Sequence, residues 1–129
     1  MAKKPIIVAI DDEQEFIDML KDYFELRGYE IYTAIKGVKG IELIKEKKPD
    51  IVILDLKMPG ISGEDVLELL KKIQPGAQVI FVTAYDDGGR TKAKMLGAGA
   101  YDYLDKPLPS LKVLEEAVLK AYSQGSQDV

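Results

Sequence analysis

Residues 51–60 read IVILDLKMPG. Four apolar residues, three of them β-branched, run straight into Asp55. A continuous apolar run of this length between polar segments reads as a strand buried on both faces, the kind found in parallel sheets covered by helices. Asp55 then stands at the carboxyl end of a central strand, where open α/β sheets place their ligands. Met58, Pro59 and Gly60 make a tight loop that cannot continue the strand. A strand-end Asp that only caps the next turn is the plain alternative, so this stretch by itself makes Asp55 no more than a candidate.

The pattern recurs on both sides. Residues 5–10 (PIIVAI) form a second apolar run that ends at Asp11, Asp12 and Glu13. Phe16, Met19, Leu20, Tyr23, Phe24 and Leu26 then recur at helical spacing, widened by Ile17, and Gly28 supplies a stop. Residues 29–35 alternate and contain a Glu, as a strand nearer an edge does. Residues 37–47 form a short amphipathic helix, with Val38, Ile41, Leu43 and Ile44 apolar. Lys45, Lys47 and Lys48 suit its C-terminus.

Beyond Asp55, Ser62 can cap a helix whose first turn holds Glu64 and Asp65. Val66, Leu67, Leu69, Leu70 and Ile73 give its apolar face, and Pro75-Gly76 ends it. Residues 78–83 (QVIFVT) are a fourth strand with Thr83 at its carboxyl end. A loop at 85–89, a short helix over 91–96 stopped by Gly97, and a fifth strand over 100–104 follow. Gly97-Ala98-Gly99 is no dinucleotide fingerprint, because it follows a helix and lacks the third Gly. Leu111, Leu114, Val118 and Ala121 line a last helix, and residues 123–129 read as a polar, frayed tail.

Strand and helix thus alternate five times. The expected fold is α/β, a doubly wound five-stranded parallel sheet of order 2-1-3-4-5 with helices on both faces, flavodoxin-like. Residues 1–129 suit a single domain with its core over about 4–122.

Composition narrows the chemistry. The chain has 18 basic and 22 acidic residues, net charge −4, which argues against nucleic acid as its main partner. Cys and His are both absent, so thiolate nucleophiles, Ser-His triads and Cys- or His-ligated metals are excluded. Any metal must be a hard cation held by oxygens. No apolar run reaches the ~20 residues of a membrane span, and the start carries no signal-peptide cleavage pattern. A cytoplasmic location is the expectation.

In this strand order, strands one and three are neighbours at the switch point, so Asp11, Asp12 and Asp55 converge on one mouth. Each like-charge pair costs about 4 kcal/mol at a separation of about 4 Å and an effective dielectric near 20. Such a cluster calls for a cation or a raised pKa. Oxygen ligands at an open mouth favour Mg²⁺. Thr83 and Lys106, from the ends of strands four and five, point at the same place. A carboxylate nucleophile, a divalent metal, an ammonium and a hydroxyl form a site that can take a phosphoryl group on Asp.

Asp11-Asp12 after strand one, Asp55 in LDLKMPG, Thr83 in VTA, and Tyr103 with Lys106-Pro107 in YLDKP together resemble the receiver domain of two-component response regulators, a CheY-like module. The resemblance covers about residues 4–122. It implies that Asp55 is the phosphoacceptor. It implies that Asp11 and Asp12 bind Mg²⁺ (Mn²⁺ as a substitute) with Asp55 and the Lys57 backbone carbonyl. It implies that Lys106 meets the phosphoryl oxygens and that Thr83 and Tyr103 rearrange as a switch. The Lys106-Pro107 bond is expected to be cis. Lys57 and Tyr85 flank the expected path of the hydrolytic water.

A histidine kinase or histidine phosphotransfer protein is the implied donor. The downstream protein is expected on the face made by the fourth helix, fifth strand and fifth helix. No nucleic acid or membrane partner is expected, and the chain is expected to be a monomer or a dimer that forms on phosphorylation. Such a module is a signalling switch rather than an enzyme, catalysing only its own phosphorylation and slow autodephosphorylation. Two other classes compete. An aspartyl-phosphate phosphatase of the haloacid-dehalogenase kind carries a second Asp two residues after the nucleophile, where this chain has Lys57. A degenerate receiver used only for interaction has no need of every acidic and lysine position, and all of them are present here.

Overall fold

A computed structural model describes residues 3–127. The chain runs β1 (Ile6–Ile10), α1 (Gln14–Leu26), β2 (Glu30–Ala34), α2 (Gly37–Lys47), β3 (Ile51–Leu54), α3 (Gly63–Ile73), β4 (Gln78–Thr83), α4 (Arg90–Gly97), β5 (Asp102–Asp105) and α5 (Leu111–Gln127). The sheet is parallel throughout, in the order β2-β1-β3-β4-β5. This is the doubly wound flavodoxin-like fold expected from the apolar runs.

Alternate strand residues feed two cores. Val8, Ile10, Val52, Leu54, Val79 and Phe81 pack against Ile44 of α2, Val66, Leu67 and Leu70 of α3, and Met95 of α4. Ile7, Ala9, Ile51, Ile53, Ile80 and Val82 pack against Ile17, Leu20 and Phe24 of α1 and Leu114, Val118 and Ala121 of α5. All four residues of β3 are buried, as a strand covered on both faces must be. Each buried Ile or Leu contributes about 1.5–3 kcal/mol, so this strand is among the most firmly held parts of the chain.

The structure differs from the sequence reading in several places. Met19 and Leu26 of α1 are exposed, and so are Val38 of α2 and Ile73 of α3. On α1 the inward line is Ile17, Leu20 and Phe24, and Leu26 lies half a turn away from it. Met19 lines an open groove with Phe16, Pro107, Leu108 and Leu111. α4 is stopped at Gly99 (φ 110) and not by Gly97, which is its last residue. The Ala100 amide bonds back to the Met95 carbonyl, so Ala100 closes the helix and β5 begins only at Asp102. α2 ends on Lys48, held in the left-handed region at φ 49. Residues 123–127, read as frayed tail, continue α5, and Gly125 lies beside the Gln78 side chain and the Gly76 carbonyl. The last two residues of that expected tail, 128 and 129, lie outside the described residues.

Candidate functional site

The sheet register assembles the site. Ile10 pairs with Leu54 across β1 and β3, so the next residues, Asp11 and Asp55, leave adjacent strand ends together. The Asp55 amide donates to the Ile10 carbonyl at 3.0 Å, and the Asp11 amide to Ala34 at 3.1 Å. One carboxylate oxygen each from Asp11, Asp12 and Asp55 lie within 4.8 Å of one another. Asp11 and Asp55 are buried, whereas Asp12 is exposed at the rim.

Gly63, at the start of α3, brings that helix against the floor of the site. A Cβ there would stand 2.3 Å from the Asp55 carbonyl oxygen and 2.8 Å from the Phe81 ring. Glycine therefore permits the close approach. The Ser62 hydroxyl accepts from the Asp65 amide at 3.2 Å and caps the same helix, as the sequence foretold.

Lys106 reaches the mouth from the end of β5, where its amide bonds to the Thr83 carbonyl at 2.9 Å. The Lys106–Pro107 bond is cis. The Lys106 ammonium donates to Asp11 Oδ2 at 2.8 Å and to Glu13 Oε1 at 2.5 Å, and lies 4.5 Å from the centre of the Phe16 ring. Lys106 acts on Asp55 as a nearby charge, with its direct bonds going to Asp11 and Glu13. The sequence reading gave Glu13 no role.

These placements set the charges. Burial pushes the Asp55 carboxyl above its ordinary range, against the Thr83 hydroxyl and the Lys106 ammonium, which pull it down. Burial likewise raises Asp11 despite Lys106 and the Glu13 amide, and nearby Asp55 adds to the rise. Burial disfavours the Lys106 ammonium, yet Asp11 and Glu13 outweigh it and the pKa rises. Burial and mutual repulsion both disfavour ionising these carboxyls, and a cation held between them would offset that. The donor set is all oxygen, which suits a hard cation such as Mg²⁺.

Thr83 is buried at the end of β4, and its Oγ1 accepts from the Tyr85 amide at 3.2 Å. Tyr103 is 3% exposed, so it is no surface aromatic. Its ring leans on Phe81 with centroids 5.8 Å apart, and its hydroxyl donates to the Tyr85 carbonyl at 3.3 Å. Thr83 and Tyr103 thus hold the two backbone groups of one residue, Tyr85. Gly88 and Gly89, both at positive φ, lead into the first turn of α4. The structure supplies a clamp there. Asp87 accepts from the Thr91 amide at 3.0 Å and from the Thr91 hydroxyl at 2.7 Å.

Lys57 and Tyr85 are both exposed, and the Lys57 ammonium lies 4.5 Å from the centre of the Tyr85 ring. The two side chains therefore meet at the surface.

Fold, acidic mouth and strand-end lysine define a class, and comparison with known proteins gives the family. The family model for the response regulator receiver domain matches residues 7–119. The chain belongs to that family, the receiver modules of two-component signalling. It is similar to the CheY-like response regulator receiver domain protein of Methanospirillum hungatei, with 27% identity and a TM-score of 0.90, over 98% of this chain and 100% of that one. It is similar to a receiver domain protein of Clostridium thermocellum at 33% identity and a TM-score of 0.85, over 95% and 98% of the two chains. A LuxR-family DNA-binding response regulator of Staphylococcus aureus aligns at 28% identity and 0.82, over 92% and 98%. Among the described residues no helix is long and apolar enough to cross a membrane.

Proposed function

We propose that Asp55 is the phosphoacceptor of a single receiver module spanning the chain, charged by the phosphohistidine of a histidine kinase or histidine phosphotransfer protein in the cytoplasm. The observation that carries this is the gathering of Asp11, Asp12 and Asp55 oxygens within 4.8 Å, with the Lys106 ammonium on Asp11. An Asp55 oxygen attacks phosphorus, and the donor's P–N bond breaks with its electron pair returning to the imidazole. Asp11, Asp12, Asp55 and the Lys57 carbonyl would hold Mg²⁺ or Mn²⁺, which supplies charge neutralisation for the transferring group. Lys106 supplies a second positive charge and Thr83 a hydroxyl donor to the phosphoryl oxygens. Mass spectrometry after incubation with acetyl phosphate, with and without Mg²⁺, tests the reading.

Lys57 and Tyr85 cover the path along which water must reach the phosphoryl group. An exposed cation–π pair is worth about 0.5–1 kcal/mol, so its loss is worth roughly two- to fivefold in rate. Replacing both by Ala should speed decay of the phosphorylated form by about that factor. Each single replacement should do nearly as much, because either one removes the pair. Decay of the double variant at the parent rate would show that neither side chain gates water.

The output face is proposed to be α4, β5 and α5, where a downstream protein or a second copy would dock. A Thr83 hydroxyl drawn to a phosphoryl oxygen gives up the Tyr85 amide, and Tyr85 also holds the Tyr103 hydroxyl. The change then spreads to the loop whose Asp87 clamps α4. Phosphorylation thus shifts a population of the 85–89 loop. Hydrogen exchange over residues 88–96 and 100–104 should change when a phosphoryl mimic is bound at Asp55. Equal exchange with the mimic in place would leave the domain signalling through another face.

A further inference from the structure

We propose that Glu13 is a positioning residue for the metal site, giving Lys106 a second seat so that Asp11 can turn to a cation without leaving a buried ammonium unpaired. The inference rests on the metal site read above.

Asp11 is 2% exposed and both of its oxygens are engaged within the protein. Oδ1 accepts from the Glu13 amide at 2.9 Å and Oδ2 from Lys106 at 2.8 Å. A cation shared by Asp11, Asp12 and Asp55 would compete with Lys106 for the electron density of the Asp11 carboxylate and weaken that bond. The Lys106 side chain is only 12% exposed, so little water is at hand to take over. An unpaired charge in such a place is costly.

Glu13 meets that need by geometry. Its Oε1 already lies on the same ammonium, and its side chain is 61% exposed, free to follow a small movement of Lys106. Its backbone is tied to Asp11, so the seat stays beside the residue being vacated. The Phe16 ring also lies against the ammonium. An exposed Glu beside a Lys is ordinarily a surface pair of small worth. Here the Lys is mostly buried, and its other partner is the carboxylate that the metal needs.

The test is calorimetric titration of the full chain with MgCl₂, without any phosphodonor. Glu13→Gln should raise the Mg²⁺ dissociation constant roughly two- to fivefold, the scale of one exposed ion pair. In a Lys106→Met background the same substitution should have no effect, because no ammonium remains to be seated. An unchanged constant in Glu13→Gln overturns the proposal. So does an equal weakening in both backgrounds, which would make Glu13 only a nearby negative charge. Absence of Mg²⁺ binding by the parent would overturn the metal site itself and this proposal with it. Parent binding with unresponsive variants overturns this proposal alone.

Discussion

Asp55→Asn is expected to take up no phosphoryl label from acetyl phosphate, and chelation of divalent cations is expected to bring the parent close to the same level. Asp55 is the only carboxylate of the mouth delivered by the central strand β3, with its amide fixed to Ile10. An amide in its place has no anionic oxygen to attack phosphorus. Loss of a nucleophile is felt on a scale of roughly a thousandfold or more. The aspartyl-phosphate would also carry about one more negative charge than the carboxylate, by analogy with phosphate ionisation. Beside Asp11 and Asp12 that charge is tolerable only with Lys106 and a divalent cation close by. Label on Asp55→Asn equal to the parent's would remove Asp55 from the role.

Stability should move the other way. Folding raises the Asp55 pKa, chiefly through burial. Such a group favours the fold below its unfolded pKa, and that contribution is lost as pH rises through the folded pKa. At neutral pH the ionised Asp55 therefore weighs against folding. Asp55→Asn should melt higher than the parent at pH 7, with the gap closing as the pH falls into the carboxyl range. A lower melting temperature at pH 7 would contradict the burial argument.

Much of this was legible in the residues themselves. A run such as IVIL has one comfortable environment, and β1, β3 and β4 each carry such a run up to a polar residue that must then lie at the strand end. The order 2-1-3-4-5 is the flavodoxin-like one expected of five alternating strand–helix units, and the meeting of Asp11 with Asp55 followed from it. Helix faces were less legible. Met19 and Leu26 are apolar and near helical spacing, yet a helix packed on one sheet face buries only a narrow line, here Ile17, Leu20 and Phe24. Ends set by backbone bonding were also missed, such as the Ala100 amide closing α4. Least legible were side-chain meetings across long separations. Lys106 on Glu13 spans 93 positions, and nothing in the local pattern distinguishes Glu13 from any other helix-start acid.

Glu115 is the largest such omission, and its replacement by Ala is expected to be strongly destabilising although it lies away from the mouth. Glu115 is 6% exposed on α5. Its two oxygens accept from the hydroxyls of Tyr23 and Tyr29, each at 2.8 Å, and the Arg27 Nε lies 2.8 Å from Oε1. Burial by itself would raise its pKa, but Arg27, Tyr29 and Tyr23 together hold the carboxyl below its ordinary value. The group joins α5 to the end of α1 and the start of β2, at the amino end of that strand, whereas the acidic mouth lies at the carboxyl ends of β1 and β3. Arg27 is exposed enough for water to replace its partner, whereas the Tyr29 hydroxyl is buried with Glu115.

Each buried polar group left without a partner costs about 1–3 kcal/mol, so Glu115→Ala should lose about 2–4 kcal/mol. For a domain of this size that is a fall of roughly 10 °C in melting temperature. Glu115→Gln keeps an acceptor and should lose less. Because folding depresses this pKa, the carboxylate's contribution is present above the unfolded carboxyl pKa and is lost as pH falls through the folded one. The gap between parent and Glu115→Gln should therefore narrow in acid. Well below its melting temperature Glu115→Ala should still take phosphoryl label like the parent, since Asp55 and its partners are untouched. A melting temperature equal to the parent's would show that the cluster holds nothing together, and lost labelling in a folded variant would show that it reaches the site.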